Sequence, residues 1–201
     1  FTVIVGPTAA GRKGMSGNLA RLPFSRIDPA WHDTRVMAGL SSGEGLIWAV
    51  RDAIEKKNAI RERGHVTGYE TVVEDHGIED KRLVVVESEL ASTLRVMARD
   101  GSILSAVIRQ AWDNGDLRVL TKNTPAKATA AHVTILGHIT KDELLCELAR
   151  TDAANGFANR FLWVCAKRSK CLPEGGHLPE RELSRYVAGL AAVVEKARTV
   201  G

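Results

Sequence analysis

The chain has 201 residues, 44% hydrophobic and 26% charged, which is enough for one domain with a sizeable core and too apolar for a disordered chain. The formal charge of +4 is mildly basic, compatible with a nucleic-acid partner without being evidence for one. No apolar run approaches the ~20 residues of a membrane span, the six scattered histidines form no zinc pattern with cysteine, and the odd set of Cys146, Cys165 and Cys171 predicts reduced thiols in a cytoplasmic protein.

Residues 2–5 are a β-branched run and read as a first strand. The chain thus opens inside a strand, with neither an initiator Met nor a signal-peptide layout, and reads as a piece of a larger protein. A loop with Gly6, Gly11, Arg12, Lys13, Gly14 and Ser16 follows. Strand, glycine-rich loop and helix start are the layout of a phosphate-binding loop, in which backbone N–H groups and the helix N-terminus converge on phosphate oxygens. The usual spacing is Gly-x-x-x-x-Gly-Lys-Ser/Thr. Gly6 and Gly11 match it, but Arg12 stands where the lysine belongs and Lys13 where the hydroxyl belongs. We assign Lys13 as the phosphate lysine on a loop one residue longer, with Arg12 as its rival and Ser16, ahead of Thr8, as the Mg²⁺ ligand.

A second strand is predicted over residues 35–40. The turn Ser41-Ser42-Gly43-Glu44-Gly45 comes next. Glu44 could orient a water for attack on a phosphate, or it could complement the dipole of a helix capped by Ser41 or Ser42. Leu46, Ile47, Val50 and Ile54 repeat at helical spacing and predict a helix over 44–62, stopped at Gly64. Residues 64–82 read as an acidic, irregular surface connection. Residues 83–86 are the clearest strand, and Glu87 closes it with Glu89 nearby. An acid at such a strand end can hold Mg²⁺ or its waters, and equally can begin a helix.

Helices are predicted over 89–99 and 102–112. The basic stretch around Arg118, Lys122, Lys127 and Thr129 could meet a nucleic-acid backbone, but it lacks aromatic residues for stacking and reads as well as a solvated loop. A fourth strand spans 132–138 and ends at His138, a candidate γ-phosphate sensor or a structural histidine. Thr140 and Glu143 form a capping box for the next helix. Arg160 lies at the mouth of a fifth strand, 161–165, either as a surface residue or as an arginine finger for its own or a neighbour's site. Residues 168–178 look like a boundary before a last amphipathic helix opened by Pro179. The strands do not alternate in polarity, as expected for a mainly parallel sheet covered on both faces, so the fold class is α/β.

These blocks together, from residues 6–16 and 39–47 through 85–89, 109–113, 122–127, 135–140 and 155–163, resemble a family of uncharacterised P-loop proteins. Its members occur in phage, plasmid and other mobile elements beside primase-polymerase or helicase modules. The resemblance covers residues 1–175, with 176–201 as a C-terminal helical extension. It implies a RecA-like P-loop NTPase core with a five-stranded sheet in the order 5-1-4-3-2. It also implies ATP and Mg²⁺ on Gly6, Gly11, Lys13 and Ser16, Glu87 in the acidic motif, Glu44 as catalytic glutamate and Arg160 acting in trans. The expected function is an ATP-hydrolysing motor domain in mobile-element replication, working on single-stranded DNA as a ring or filament. The alternative is a regulatory or assembly module that binds nucleotide with weak or no hydrolysis. A third reading, phosphoryl transfer to a small substrate, has no recognisable substrate pocket in the sequence.

Overall fold

The computed structural model of the chain describes residues 1–7, 13–120, 126–148, 156–167 and 178–200. Its elements run β1 (Thr2–Val5), α1 (Lys13–Ile27), α2 (Pro29–Arg35), β2 (Val36–Met37), α3 (Gly43–Trp48), β3 (Ile54–Glu62), β4 (His65–Asp75), β5 (Arg82–Glu87), α4 (Leu90–Met97), α5 (Leu104–Asp113), β6 (Leu117–Arg118), β7 (Lys127–Ala128), β8 (His132–Ile139), α6 (Lys141–Leu148), β9 (Leu162–Cys165) and α7 (Glu180–Val200). Mixed α/β architecture is therefore observed.

The main sheet has five strands in the order β2-β5-β8-β1-β9, and every pairing within it is parallel. Two small antiparallel ribbons, β3-β4 and β6-β7, stand apart from it. Counting only the five sheet strands along the chain, the order is 2-3-4-1-5, which is 5-1-4-3-2 from the opposite edge. The chain leaves β1 leftwards to β2 and afterwards steps rightwards to β5, β8 and β9. Right-handed crossovers then put α1 and α2 on one face and α3 to α6 on the other. Packing agrees: α7 lies against α1 and α1 against α2, whereas α3 and α4 pack on α5, and α4 on α6.

Alternation along β8 shows the two faces. Val133, Ile135 and Ile139 are buried beneath α4 and α5 with Val3, Val5, Leu83 and Val85. Gly137 belongs to this face, and a Cβ there would lie 2.9 Å from Leu90 of α4, so its smallness sets how closely helix and sheet approach. His132, Thr134, Leu136 and His138 point to the α1 side. The Thr140 capping box is present: its hydroxyl donates to Glu143 Oε2 at 2.7 Å and accepts the Glu143 N–H at 3.2 Å.

The predicted helix over 44–62 is corrected. α3 ends at Trp48, and the chain then enters a long hairpin, so the predicted irregular connection 64–82 is also corrected to a strand and a short link. Leu46, Ile47 and Val50 are buried, but Ile54 already belongs to β3. The stop has a clear physical cause. Arg51 turns away to grip Asp75 at 2.7 and 3.0 Å and stacks over Trp48 at 3.9 Å, which pins the base of the hairpin. At the other end Arg63 and Gly64 both have positive φ, 49° and 85°, as a tight two-residue hairpin turn requires.

Next to this base a polar knot joins three segments. The Asp52 carboxylate accepts from Lys81 Nζ at 2.8 Å and from the Thr129 hydroxyl at 2.7 Å. Burial raises the Asp52 carboxyl, but the Lys81 and Thr129 bonds outweigh it and leave it below its ordinary value. Asp75 is lowered by Arg51 and Asp80 by Arg82. Lowered folded-state values contribute stability that is present above the unfolded value and is lost as pH falls through the folded one. The melting temperature is therefore expected to hold down to pH 5 and to drop below about pH 4. Asp52→Asn should shallow that drop in a scanning-calorimetry series, and an identical drop would remove Asp52 from the account.

Candidate functional site

In a parallel sheet the carboxyl ends of all strands share one edge, and ligands gather there. On this edge lie Gly6 after β1, Met37 of β2, Glu87 of β5, Ile139 of β8 and Cys165 of β9. The order places β8 between β1 and β5, with Glu87 level with Gly137 and Gly137 level with Val3. Glu87 is thus two inter-strand steps from β1, about 10 Å. Gly6 continues the ladder, donating its N–H to Ile139 O at 3.1 Å, and α1 begins beyond residues 8–12.

Glu87 is buried, with 8% exposure. Its Oε1 accepts the N–H groups of both Gly39 and Leu40 at 2.7 Å. The acid at the end of β5 therefore fixes the path from β2 into α3, which is a positioning duty that the sequence did not reveal because those amides lie 47 and 48 positions away. His138 is 2% exposed, sits level with Ile4, and lies close enough to α1 that a Cβ on Gly17 would be 3.5 Å from its Cε1. It is packed beneath α1, one residue before the strand ends. Ser16 is exposed on the first turns of α1. Lys13 and Gly14 belong to the same helix, while Gly11, Arg12 and Thr8 lie outside the described residues.

Glu44 is exposed on the first turn of α3, which is capped by Ser42 accepting the Gly45 N–H at 2.9 Å. It borders a cleft whose far wall is Val96, Arg99, Asp100, Ser102 and Ile103, and to which neither Glu87 nor His138 contributes. Arg160 lies at the opposite, amino-terminal edge of the sheet, just before β9. Its guanidinium is engaged within the chain, donating to both oxygens of Asp113 at 2.9 Å and to Gly156 O at 2.8 Å. Gly6, Ser16, Glu87 and His138 thus share one end of the molecule; Glu44, on the helix that follows β2, faces a cleft of its own there, and Arg160 lies at the opposite edge.

The predicted basic stretch falls partly within the described residues. Lys127 is exposed in β7, and its carbonyl accepts the Asp52 N–H at 2.8 Å. It lines a hollow with Arg118, Gln110 and the carboxylate of Asp116. Lys122 lies outside the described residues.

The donors at the Glu87 edge fit a Mg²⁺-nucleotide in chemistry. Mg²⁺ keeps several waters and takes one or two protein oxygens besides phosphates, so one hydroxyl and one carboxylate suffice. Among the described residues no cluster of three or more His, Cys, Asp or Glu side chains could hold a metal without such help. No helix among the described residues is long and apolar enough to cross a membrane. Comparison with protein-family models and with curated proteins gives no match in either case.

Proposed function

We propose that this chain is a RecA-like P-loop domain that binds and hydrolyses ATP, associated with a helicase or primase in the replication of a mobile element. The observation that carries the reading is the shared edge: the glycine loop leaves β1, and Glu87 ends β5 across one intervening strand. That is the separation at which a loop can hold phosphates while an acid meets the metal or its waters. In this reading Lys13 neutralises the phosphates, Ser16 and Glu87 hold Mg²⁺, and bound ATP-Mg²⁺ supplies the phosphoryl group whose transfer to water drives movement. His138, beneath α1, supports the first helix rather than touching nucleotide. Single-stranded DNA and neighbouring copies in a ring or filament are the proposed partners, in a cytoplasmic setting. A neighbour's Arg160 would have to leave Asp113 to reach this edge.

The second reading is nucleotide binding with weak or no hydrolysis, favoured by Glu44 bordering a cleft that Glu87 does not share. ATP turnover with and without single-stranded DNA separates the two. Lys13→Ala is expected to lower turnover by on the order of 10²-fold and Arg12→Ala by only a few-fold. Turnover that survives Lys13→Ala transfers the role to Arg12, and ATP bound without turnover selects the second reading.

A further inference from the structure

The β3-β4 hairpin is the largest feature that the ATP reading does not use. Its strands have 9 and 11 residues, about 30 Å of ribbon, and pair with no strand of the main sheet. Residues 55–67 and 69–74 are all exposed. A lone two-stranded ribbon is marginal in water, and here its base is clamped by Arg51, Asp75 and the Gly77 N–H, which donates to Asp75 at 2.6 Å. A firmly held base beneath a wholly wet ribbon is the build of an arm that meets something outside the chain.

The register sorts its charges. Lys57 pairs with Thr71, Ala59 with Tyr69 and Arg61 with Val66, so Lys57, Arg61 and Tyr69 share one face. Asn58 pairs with Glu70 and Glu62 with His65, so both distal carboxylates lie on the other face. Beyond Glu55 at the base, the first face carries cations and no carboxylate. Tyr69 is 69% exposed and stands opposite Ala59, between the two cations. Lys57 and Arg61 lie four residues apart along β3, about 13 Å.

We propose that this face of the arm binds a single nucleic-acid strand, with phosphates on Lys57 and Arg61 and a base stacked on Tyr69. The partner follows from charge and ring together. Cations alone would suit any polyanion, but an exposed aromatic between them is what a strand with unpaired bases uses. The predicted stretch at Arg118 and Lys127 fits less well, because Asp116 lines the same hollow. The assignment rests on the motor reading only in giving that motor its track.

The test is fluorescence anisotropy of a labelled oligothymidylate of about 20 nucleotides, long enough to cover one such site, with the matching oligouridylate and a DNA duplex as competitors. Tyr69→Ala is expected to weaken binding on the order of tenfold, with Tyr69→Trp restoring it. Lys57→Ala with Arg61→Ala should flatten the slope of log affinity against log salt by about 1.4, two phosphates at ~0.7 each. Glu62→Gln with Glu70→Gln, on the other face, should not weaken binding. All variants should keep the wild-type melting temperature, since the ribbon is outside the core. Binding unaffected by the Lys57, Arg61 and Tyr69 changes overturns the proposal. So does a duplex that competes as well as the single strand, or an arm whose variants alter only self-association in sedimentation. ATP turnover without oligonucleotide binding sinks the arm alone. Arm-dependent binding without ATP binding sinks the motor and leaves the arm standing.

Discussion

Glu87→Gln is expected to leave the protein folded and to cut ATP turnover by on the order of 10²-fold, whereas Glu87→Ala should damage both. The reason lies in what each replacement retains. Glutamine keeps an oxygen able to accept the Gly39 and Leu40 N–H groups now held at 2.7 Å. It removes the negative charge that a Mg²⁺ site needs. Alanine abandons two main-chain donors beside a buried position, at about 1–3 kcal/mol for each one left unsatisfied. Thermal melting and turnover measured on both variants separate the roles. If Glu87→Gln keeps full turnover, Glu87 has only its positioning duty and the metal must be held by other groups.

Gly115→Ala is expected to be strongly destabilising. Gly115 has φ +72°, and a Cβ there would lie 2.3 Å from Ala131 O. Its own N–H is bonded to Gln110 O, and its carbonyl accepts the Ala131 N–H at 2.9 Å. The residue therefore joins the end of α5 to the start of β8 and cannot back away without breaking both bonds. Gly101 provides the control: its φ is +75° but no atom lies within 4 Å of the added Cβ. The left-handed backbone alone costs about 1–2 kcal/mol in an alanine. Of these two positions, only 115 adds a main-chain clash, for a total of about 3–5 kcal/mol. For a domain of this size that difference is roughly 5–10 °C between the two variants. Equal melting temperatures would show that the α5-β8 junction has slack.

The strands were legible because each is a short apolar run, although in β5 and β8 only the face beneath α4 and α5 is fully buried. Residues 83–86 and 132–138 need no partner to be recognised, and their positions give the parallel sheet. The hairpin was not legible for the opposite reason. With both faces wet, β3 and β4 show no apolar alternation, and Leu46, Ile47, Val50 and Ile54 fall by coincidence at helical spacing across its entrance. What stops α3 is Arg51 reaching Asp75, a contact made across the hairpin itself. The site was legible in part. Gly6 and Glu87 fall on one edge because both end parallel strands, and that follows from sequence position alone. Arg160 precedes its strand, which puts it at the other edge, and its partner Asp113 is 47 residues away. Glu44 sits beside residues 96–103, a neighbour set by how α3 packs on α5 and by nothing near it in the chain.

The position of β1 has a consequence for how the protein is made. This first strand lies inside the sheet, between β8 and β9, and its partners begin at His132 and Leu162. Thr2 pairs with Leu136 and with Leu162, so it must wait for more than a hundred residues to be synthesised. At ~5–20 residues per second that is on the order of ten seconds. During this interval β5 already has its neighbour β2, but β1 has neither of its own. Distant pairings of this kind close late and slowly. Assembly of the sheet should end with the insertion of β1 between β8 and β9.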